Sequence, residues 1–496
     1  MGGFPVPLSL DRSMPQHSPV VVLGGGPGGY AAAFLAADEG LDVTIVEAEP
    51  RLGGTCLLRG CIPSKALLHV AKVIAEVDEL REDWGVEYDG KPKIDVDRVR
   101  ARKNKVIENL TGGLNNLAKR RGVTFIQAKG TFVDSTTLKL EGDHESIPDD
   151  ATLTFDHCIL ATGSVPAMPP AFDIGSDRVM DSTGALALKD IPETLLVVGG
   201  GYIGLEMGSV YAQLGSKVSI VELGEGLLPG ADRDLVKPLE KRMKALCGER
   251  IYTNTKVGSL AEDGDQVEVT FEGPAKFGHE RYDRVLISIG RRPVTRGLGL
   301  ENTQVQIDDR GFVVCDEQQR TADPHILAIG DVAGDPMLAH KATHEGRVAA
   351  EVLAGKNAAF EKVAIPAVVF TDPEIAWAGL TETEAKRDGI AVDVESYPWQ
   401  ASGRAQALGL TNGMTKWLVD PETHRVVGCG IVGTGAGELI AEAVLAIEMG
   451  CEVADITESV HPHPTLSETL MNAGEVHFGT ATEIFKPKRK REPAAV

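Results

Sequence analysis

Residues 19–47 decide the fold: Pro19-Val-Val-Val-Leu-Gly24-Gly-Gly26-Pro-Gly-Gly29, an alanine-rich stretch, then Leu41-Asp-Val-Thr-Ile-Val-Glu47. An apolar strand runs into a glycine turn, Tyr30 to Gly40 reads as a helix, and a second apolar strand ends on an acid. Gly24, Gly26 and Gly29 supply G-x-G-x-x-G, and Glu47 closes the second strand. Glycines there let the backbone approach a pyrophosphate at a helix N-terminus, and the terminal carboxylate can accept from a ribose hydroxyl. The glycine pattern alone is weak. With strand, helix, strand and acid in order it predicts a dinucleotide-binding βαβ unit.

The pattern recurs further along the chain as Thr194-Leu-Leu-Val-Val-Gly199-Gly-Gly201-Tyr-Ile-Gly204, a helix over Leu205 to Leu214 and the strand Lys217-Val-Ser-Ile-Val-Glu222. Two such units in one chain suggest one bound and one diffusible dinucleotide. Glu222 favours a free 2′-hydroxyl and repels a 2′-phosphate, and no arginine follows it closely. The second nucleotide is therefore expected to be NAD rather than NADP.

Between the units lies Gly53-Gly-Thr-Cys56-Leu-Leu-Arg-Gly60-Cys61-Ile-Pro63-Ser-Lys65. On a regular helix the two cysteine Cα atoms would be about 8–9 Å apart, from the 1.5 Å rise, whereas a disulfide tolerates about 7 Å at most. If the pair bonds, the backbone must distort, and Gly60 and Pro63 permit that. Such a strained, short ring would be the reducible kind. Spacing alone fits two unpaired core cysteines equally well. The flanking nucleotide motifs favour a redox pair.

Charged helical stretches follow (Ala66 to Leu80, Val96 to Arg121), then strands over Gly122 to Glu141. The strand His157-Cys-Ile-Leu-Ala161-Thr162-Gly163-Ser164 ends on small residues before the prolines at 166, 169 and 170, a domain boundary. Val285 to Gly290 and His325 to Gly330 are further strands ending in glycine; Asp331 could hold a polyol hydroxyl or simply cap a helix. From about Val363 shorter alternating strands and the helices Ala436–Met449 and Val453–Ser459 indicate an α+β end domain. The expected division is an extension at 1–18, a first dinucleotide unit at 19–165, a second at 166–290, a central segment completing the first at 291–362, an interface domain at 363–482 and a basic tail at 483–496. The fold class is α/β, with two Rossmann-like units plus the α+β domain. In His461-Pro-His463-Pro-Thr465-Leu-Ser-Glu468, Thr465 to Glu468 fits a capping box. The functional alternative makes His463 a general acid/base oriented by Glu468.

Composition narrows the class. The 496 residues carry 50 Lys and Arg against 72 Asp and Glu, a formal charge of −22. That surface repels nucleic acid and anionic membranes and suits a basic protein partner. Seven scattered cysteines do not form a secreted disulfide framework. No apolar run reaches membrane-span length, and the stretch from Met1 to Ser18 has the character of neither a signal nor a transit peptide. A soluble protein of a reducing compartment, the cytoplasm, is expected.

Taken together, GGTCLLRGCIPSKALLH, GGGYIGLEMGSVYAQLGS, AIGDVAGDPMLAHKATHEG, YPWQASGRA and HPTLSE resemble the pyridine nucleotide–disulfide oxidoreductases, from about Pro19 to about Phe485. The likeness is greatest to the branch that oxidises protein-bound dihydrolipoamide as the flavoprotein of 2-oxo acid dehydrogenase complexes. The resemblance implies FAD on the first unit, with Glu47, Thr55, Lys65, Gly130, Thr162, Gly163, Ser164, Asp331 and Ala339 in contact. It implies NAD on Gly199, Gly201, Gly204, Glu206, Glu222 and Gly290, and no metal. Cys56 would attack the substrate disulfide, Cys61 would be the flavin-side thiolate, and Lys65 would sit by the flavin, paired with Glu206. His463 would reach the cysteines of a second copy, making the unit a homodimer, with a lipoyl domain as substrate and the dihydrolipoyl acyltransferase core (E2) as partner. Leu58 departs from the asparagine common between the cysteines. The tail Lys486-Pro-Lys-Arg-Lys-Arg491 reads as a solvated end.

The rival is a related FAD-dependent thiol–disulfide reductase. One acting on glutathione should prefer NADP and carry arginines where Glu222 and Leu223 stand. A mercuric reductase should add a cysteine pair near the C-terminus, yet no cysteine follows Cys451. A non-catalytic assembly subunit using the acidic surface is the alternative from another class.

Overall fold

The structure is a computed structural model that describes residues 17–90, 92–274 and 278–485. Most of the N-terminal extension and the basic tail from residue 486 lie outside the described residues.

The first unit opens with β1 (His17–Leu23), α1 (Pro27–Asp38) and β2 (Val43–Glu47). β1 begins inside the expected extension because His17 and Ser18 already pair with Thr154 and Phe155. α1 starts at Pro27, ahead of Tyr30, with the proline in its first turn, where the missing N–H costs nothing. Then come α2 (Gly54–Arg59), α3 (Cys61–Asp83), α4 (Val96–Arg120), β3 (Thr124–Gln127), β4 (Lys129–Asp134), β5 (Thr137–Glu141) and β6 (Thr152–Leu160). The sheet order is β3-β2-β1-β6-β5-β4, parallel from β3 to β6 and antiparallel beyond it. A short strand, β7 (Ser164–Pro166), leads out.

The second unit repeats the plan with β8 (Val179–Met180), α5 (Ser182–Ala187), β9 (Thr194–Val198), α6 (Tyr202–Leu214), β10 (Lys217–Val221), α7 (Arg233–Cys247) and β11 (Ile251–Tyr252). A meander of β12 (Lys256–Asp263), β13 (Gln266–Glu272) and β14 (His279–Tyr282) precedes β15 (Arg284–Ile287). The parallel order β11-β10-β9-β15-β8 puts β9 and its glycine turn at the centre. α6 begins at Tyr202 rather than Leu205, so its N-terminus lies directly on the glycine turn.

The chain returns through β16 (Arg291–Pro293), which pairs with β7, and β17 (Ile326–Ala328), which adds in parallel to β6. α8 (Ala339–Leu353) then packs on α1 so closely that a Cβ on Gly346 would lie 2.5 Å from Gly28 O. Only small residues permit that approach, and Ala32, Ala33 and Ala36 of α1 are fully buried. The last region holds β18 (Ala367–Val369), β19 (Ile375–Gly379), α9 (Glu382–Asp388), β20 (Asp393–Pro398), α10 (Gly403–Ala407), β21 (Met414–Val419), β22 (Val426–Val432), α11 (Ala436–Glu448), α12 (Val453–Glu458) and α13 (Glu468–Phe478). Its antiparallel sheet runs β18-β19-β22-β21-β20. The core here is built on buried Trp399 and Trp417, whose indole N–H groups donate to Thr415 Oγ1 and Leu470 O, both at 2.9 Å.

Candidate active site

The two glycine turns are near-copies. Gly24 has φ +114° and Gly199 +109°. A Cβ at Gly24 would lie 2.3 Å from Ala161 O, and one at Gly199 2.5 Å from Ser288 O. The third glycines pack the helix onto the strand: a Cβ on Gly29 would meet Gly24 O at 1.9 Å, and one on Gly204 would meet Gly199 O at 2.1 Å. Each terminal acid braces its turn. Glu47 accepts from Gly25 N–H at 2.6 Å and Glu49 N–H at 2.8 Å; Glu222 accepts from Gly200 and Gly224 N–H, both at 2.7 Å. These bare turns at helix N-termini are cradles that any side chain would fill, and they fit dinucleotide phosphates.

Thr55, Cys56, Cys61, Lys65, Thr162, Gly163, Ser164, Asp331 and Ala339 share one cavity with Gly24, Gly26, Gly29 and Glu47. The cysteines reach it through a broken helix. Gly60, at φ −144° and ψ −112°, separates α2 from α3. A Cβ at Gly60 would lie 2.8 Å from Thr55 O, so the break needs glycine. The break sets Cys56 and Cys61 beside each other, close enough for each to shift the other's titration. The adjoining Cys56 lowers the Cys61 pKa to about 7 against the cost of burial, with the Lys65 ammonium assisting, while Cys56 itself is pushed up.

Lys65 Nζ lies 3.1 and 3.0 Å from the two Glu206 carboxylate oxygens and 4.4 Å from the Phe370 ring centre. Glu206, 3% exposed, also accepts from Phe370 N–H at 3.0 Å. One ion pair thus ties α3, α6 and the strand end after β18. A second cavity, about 1070 Å³, is lined by Gly199, Gly201, Glu222, Gly290 and, from the last region, Val368 and Trp377. Tyr202 and Ile203 line both cavities.

His463 is absent from the cysteine cavity of its own chain and is 79% exposed. Its Nδ1 lies 2.9 Å from Glu468 Oε1, while Glu468 Oε2 accepts from Thr465 N–H at 2.8 Å.

The sequence fits a family model, pyridine nucleotide-disulphide oxidoreductase, over residues 18–346, and the dimerisation domain of the same family over 365–473. The chain belongs to this family. The dihydrolipoyl dehydrogenase of Vibrio cholerae is 49% identical over 474 residues, covering 95% of this chain and 98% of that one. That of Bacillus subtilis is 41% identical over 472 residues, covering 95% and 99%. Among solved structures, LpdA from Mycobacterium tuberculosis superposes with a TM-score of 0.83 at 27% identity, covering 92% of this chain and 99% of that one. The flavoprotein disulfide reductase RclA from Escherichia coli does so with 0.81 at 28% identity, covering 92% and 99%.

Three of the expected contacts are not among the residues that line the cavity expected for them. Glu206 lines the first cavity rather than the second, because α6 turns its buried carboxylate onto Lys65. Gly204 is covered by the strand it packs on and does not line the second cavity. Gly130 lies in β4, where a Cβ would meet the Leu23 side chain at 2.7 Å, and is outside the lining of the first. Sequence reasoning passed over Arg291, which lines both cavities. Its position directly after Gly290 at a strand end was the available signal. Among the described residues no helix is long and apolar enough to cross a membrane.

Proposed function

We propose that the chain is a dihydrolipoyl dehydrogenase, oxidising protein-bound dihydrolipoamide through Cys56 and Cys61 with FAD in the first cavity and NAD in the second. The observation that carries this reading is the pair Cys56 and Cys61 beside Lys65, in a cavity that shares a wall with a second dinucleotide cradle. FAD would be held by the Gly24–Gly29 turn, Glu47, Thr55, Lys65, the 162–164 turn, Asp331 and Ala339; NAD by Gly199, Gly201, Glu222 and Gly290. When bound, the flavin supplies the two-electron acceptor and NAD the final hydride acceptor.

The chain's own groups carry the thiol chemistry. With Cys56 and Cys61 as the disulfide, a dihydrolipoamide thiol loses its proton to a histidine, and its thiolate attacks Cys56 Sγ. The Cys56–Cys61 bond breaks and Cys61 leaves as a thiolate, the form that its low pKa favours. The substrate's second thiol then attacks its own mixed-disulfide sulfur and passes its proton to the departing Cys56, which closes the lipoamide ring and leaves Cys56 as a thiol. Two electrons now reside on the cysteine pair, and Lys65 balances the charge. His463, outside this chain's cysteine cavity, serves as the base for a second copy, which the dimerisation domain supports. Glu468 fixes Nδ1–H and leaves Nε2 as the basic nitrogen.

A lipoyl domain is the substrate, a basic region of an acyltransferase core is the assembly partner of this acidic protein, and the cytoplasm is its compartment. The dinucleotide units are 19–165 with 291–362, and 166–290; 363–482 forms the dimer interface. Purified protein should reduce NAD with dihydrolipoamide far faster than it oxidises NADPH with glutathione disulfide. The reverse preference would establish the thiol reductase instead.

A further inference from the structure

Among the described residues, four line both cavities: Tyr202, Ile203, Arg291 and Met337. Arg291 is the charged member of that shared wall. It stands at the start of β16, opposite Pro166 of β7. Its Nε donates to Ser164 Oγ and its Nη2 to Ser164 O, both at 2.7 Å. A guanidinium accepts nothing and does not lose its proton, so the Ser164 hydroxyl must use its own hydrogen elsewhere. It donates to Asp331 Oδ2. The chain from cation to hydroxyl to carboxylate therefore has one proton arrangement, and Ser164, 5% exposed, is shielded from competing water. Asp331 itself lines the first cavity.

We propose that Arg291 is a positioning residue for both nucleotides: through Ser164 it holds the Asp331 carboxylate toward a hydroxyl of FAD, and its charge attracts the dinucleotide in the second cavity. This rests on the assignment of FAD to the first cavity and NAD to the second. A guanidinium that merely pins β16 to β7 would affect folding, but would not distinguish the two nucleotides. The serial chain makes a sharper claim. Removing either Arg291 or Ser164 should loosen FAD, whereas only loss of the arginine's charge should weaken NAD.

The test uses FAD-loaded Arg291→Met, Arg291→Lys, Ser164→Ala and the Met/Ala double variant. FAD affinity is read by flavin fluorescence, and NAD affinity by the change NAD causes in the oxidised flavin's visible spectrum. Arg291→Met and Ser164→Ala should each weaken FAD about tenfold, the scale of one charge-assisted hydrogen bond. The double variant should be no worse than Arg291→Met alone, because the effects act in series. NAD affinity should fall about threefold or more in Arg291→Met, the scale of a single partly exposed charge, and stay unchanged in Ser164→Ala. Arg291→Lys keeps the charge but loses the fork, so FAD should weaken while NAD holds; it carries the test if the methionine variant does not fold. Wild-type FAD affinity in Arg291→Lys, or additive losses in the double variant, would overturn the inference. Wild-type protein that binds no FAD would overturn the cavity assignment itself, and the inference with it.

Discussion

Glu468 serves two partners with one carboxylate: Oε1 meets His463 Nδ1 at 2.9 Å and Oε2 accepts Thr465 N–H at 2.8 Å. Of the two roles that the sequence sets against each other, the carboxylate keeps the orienting one and a single N–H contact of the box. Glu468 is the first residue of α13, so that N–H lies ahead of the helix. Thr465 completes only half a box, because its hydroxyl bonds Pro462 O and Ser467 Oγ rather than a helix N–H. The carboxylate, not the cap, is the shared element.

Glu468→Gln separates the two contacts, since an amide has one oxygen and cannot accept from both Thr465 N–H and His463 Nδ1–H. Lipoamide turnover should fall about 10²-fold or more, the range of general acid/base catalysis. Stability should change by about 1 kcal/mol, as for one lost hydrogen bond. NADH-dependent reduction of an artificial acceptor needs no thiol protonation and should persist in Glu468→Gln and His463→Gln. Unchanged lipoamide turnover would reduce Glu468 to its contact with Thr465.

The two βαβ units are legible in the sequence because their signals are local: strand, glycine turn, helix and acid follow one another without a break. Each helix starts earlier than its expected position, at Pro27 and at Tyr202, since the turn glycines and Pro27 also serve as the first helical turn. Longer-range relations leave no local signal. Nothing in Ser164, Arg291 or Asp331 announces their chain of bonds, and the pairing of β17 with β6, at Cys158↔Ile326, joins segments separated by the whole second unit. Lys65 with Glu206 is the exception, reached through family resemblance rather than spacing.

Cys61 should give the reduced enzyme a pH signature. Its folded pKa, lowered to about 7 from 9, adds stability above the unfolded value that disappears as pH falls through the folded one. The advantage of reduced wild type over Cys61→Ser should therefore grow between pH 7 and 9. The ultraviolet absorbance of the Cys61 thiolate should titrate with a midpoint near 7, and Lys65→Met should move that midpoint upward. A midpoint left in place by Lys65→Met would show that the adjoining Cys56 alone sets the shift.

Glu222 should govern nucleotide choice, but its replacement has a structural side. Both oxygens hold turn N–H groups, so Glu222→Gln loses one acceptor, from Gly200 or Gly224. NAD affinity should drop about tenfold, the scale of one charge-assisted hydrogen bond, while relief of charge repulsion narrows the gap to NADP. Titrating each nucleotide against wild type and variant measures this. A wild type that uses both equally would refute the role given to Glu222.

Lys416 supplies the strongest stability prediction. Its ammonium, 0% exposed, lies 2.8 Å from Asp234, 2.9 Å from Asp232 and against Glu382, joining β21, α9 and the start of α7. Burial alone would depress its pKa, but the bonds to Asp234, Glu382 and Asp232 raise it. Burial would likewise raise the Asp232 pKa, but Lys416 and the N–H of Glu382 lower it. The signs give two edges. The raised lysine stabilises fully below its unfolded pKa near 10.5 and loses that contribution as pH rises through the folded value. The lowered aspartate stabilises above its unfolded pKa near 3.8 and loses its contribution as pH falls through the folded one. Lys416→Met leaves clustered carboxylates without their cation and should cost about 3–5 kcal/mol near pH 7, the scale of breaking a buried pair. The gap from wild type in urea unfolding should shrink below about pH 4, where protonation removes the repulsion. A loss that stays constant across that range would mean Lys416 acts through packing of its stem rather than through charge.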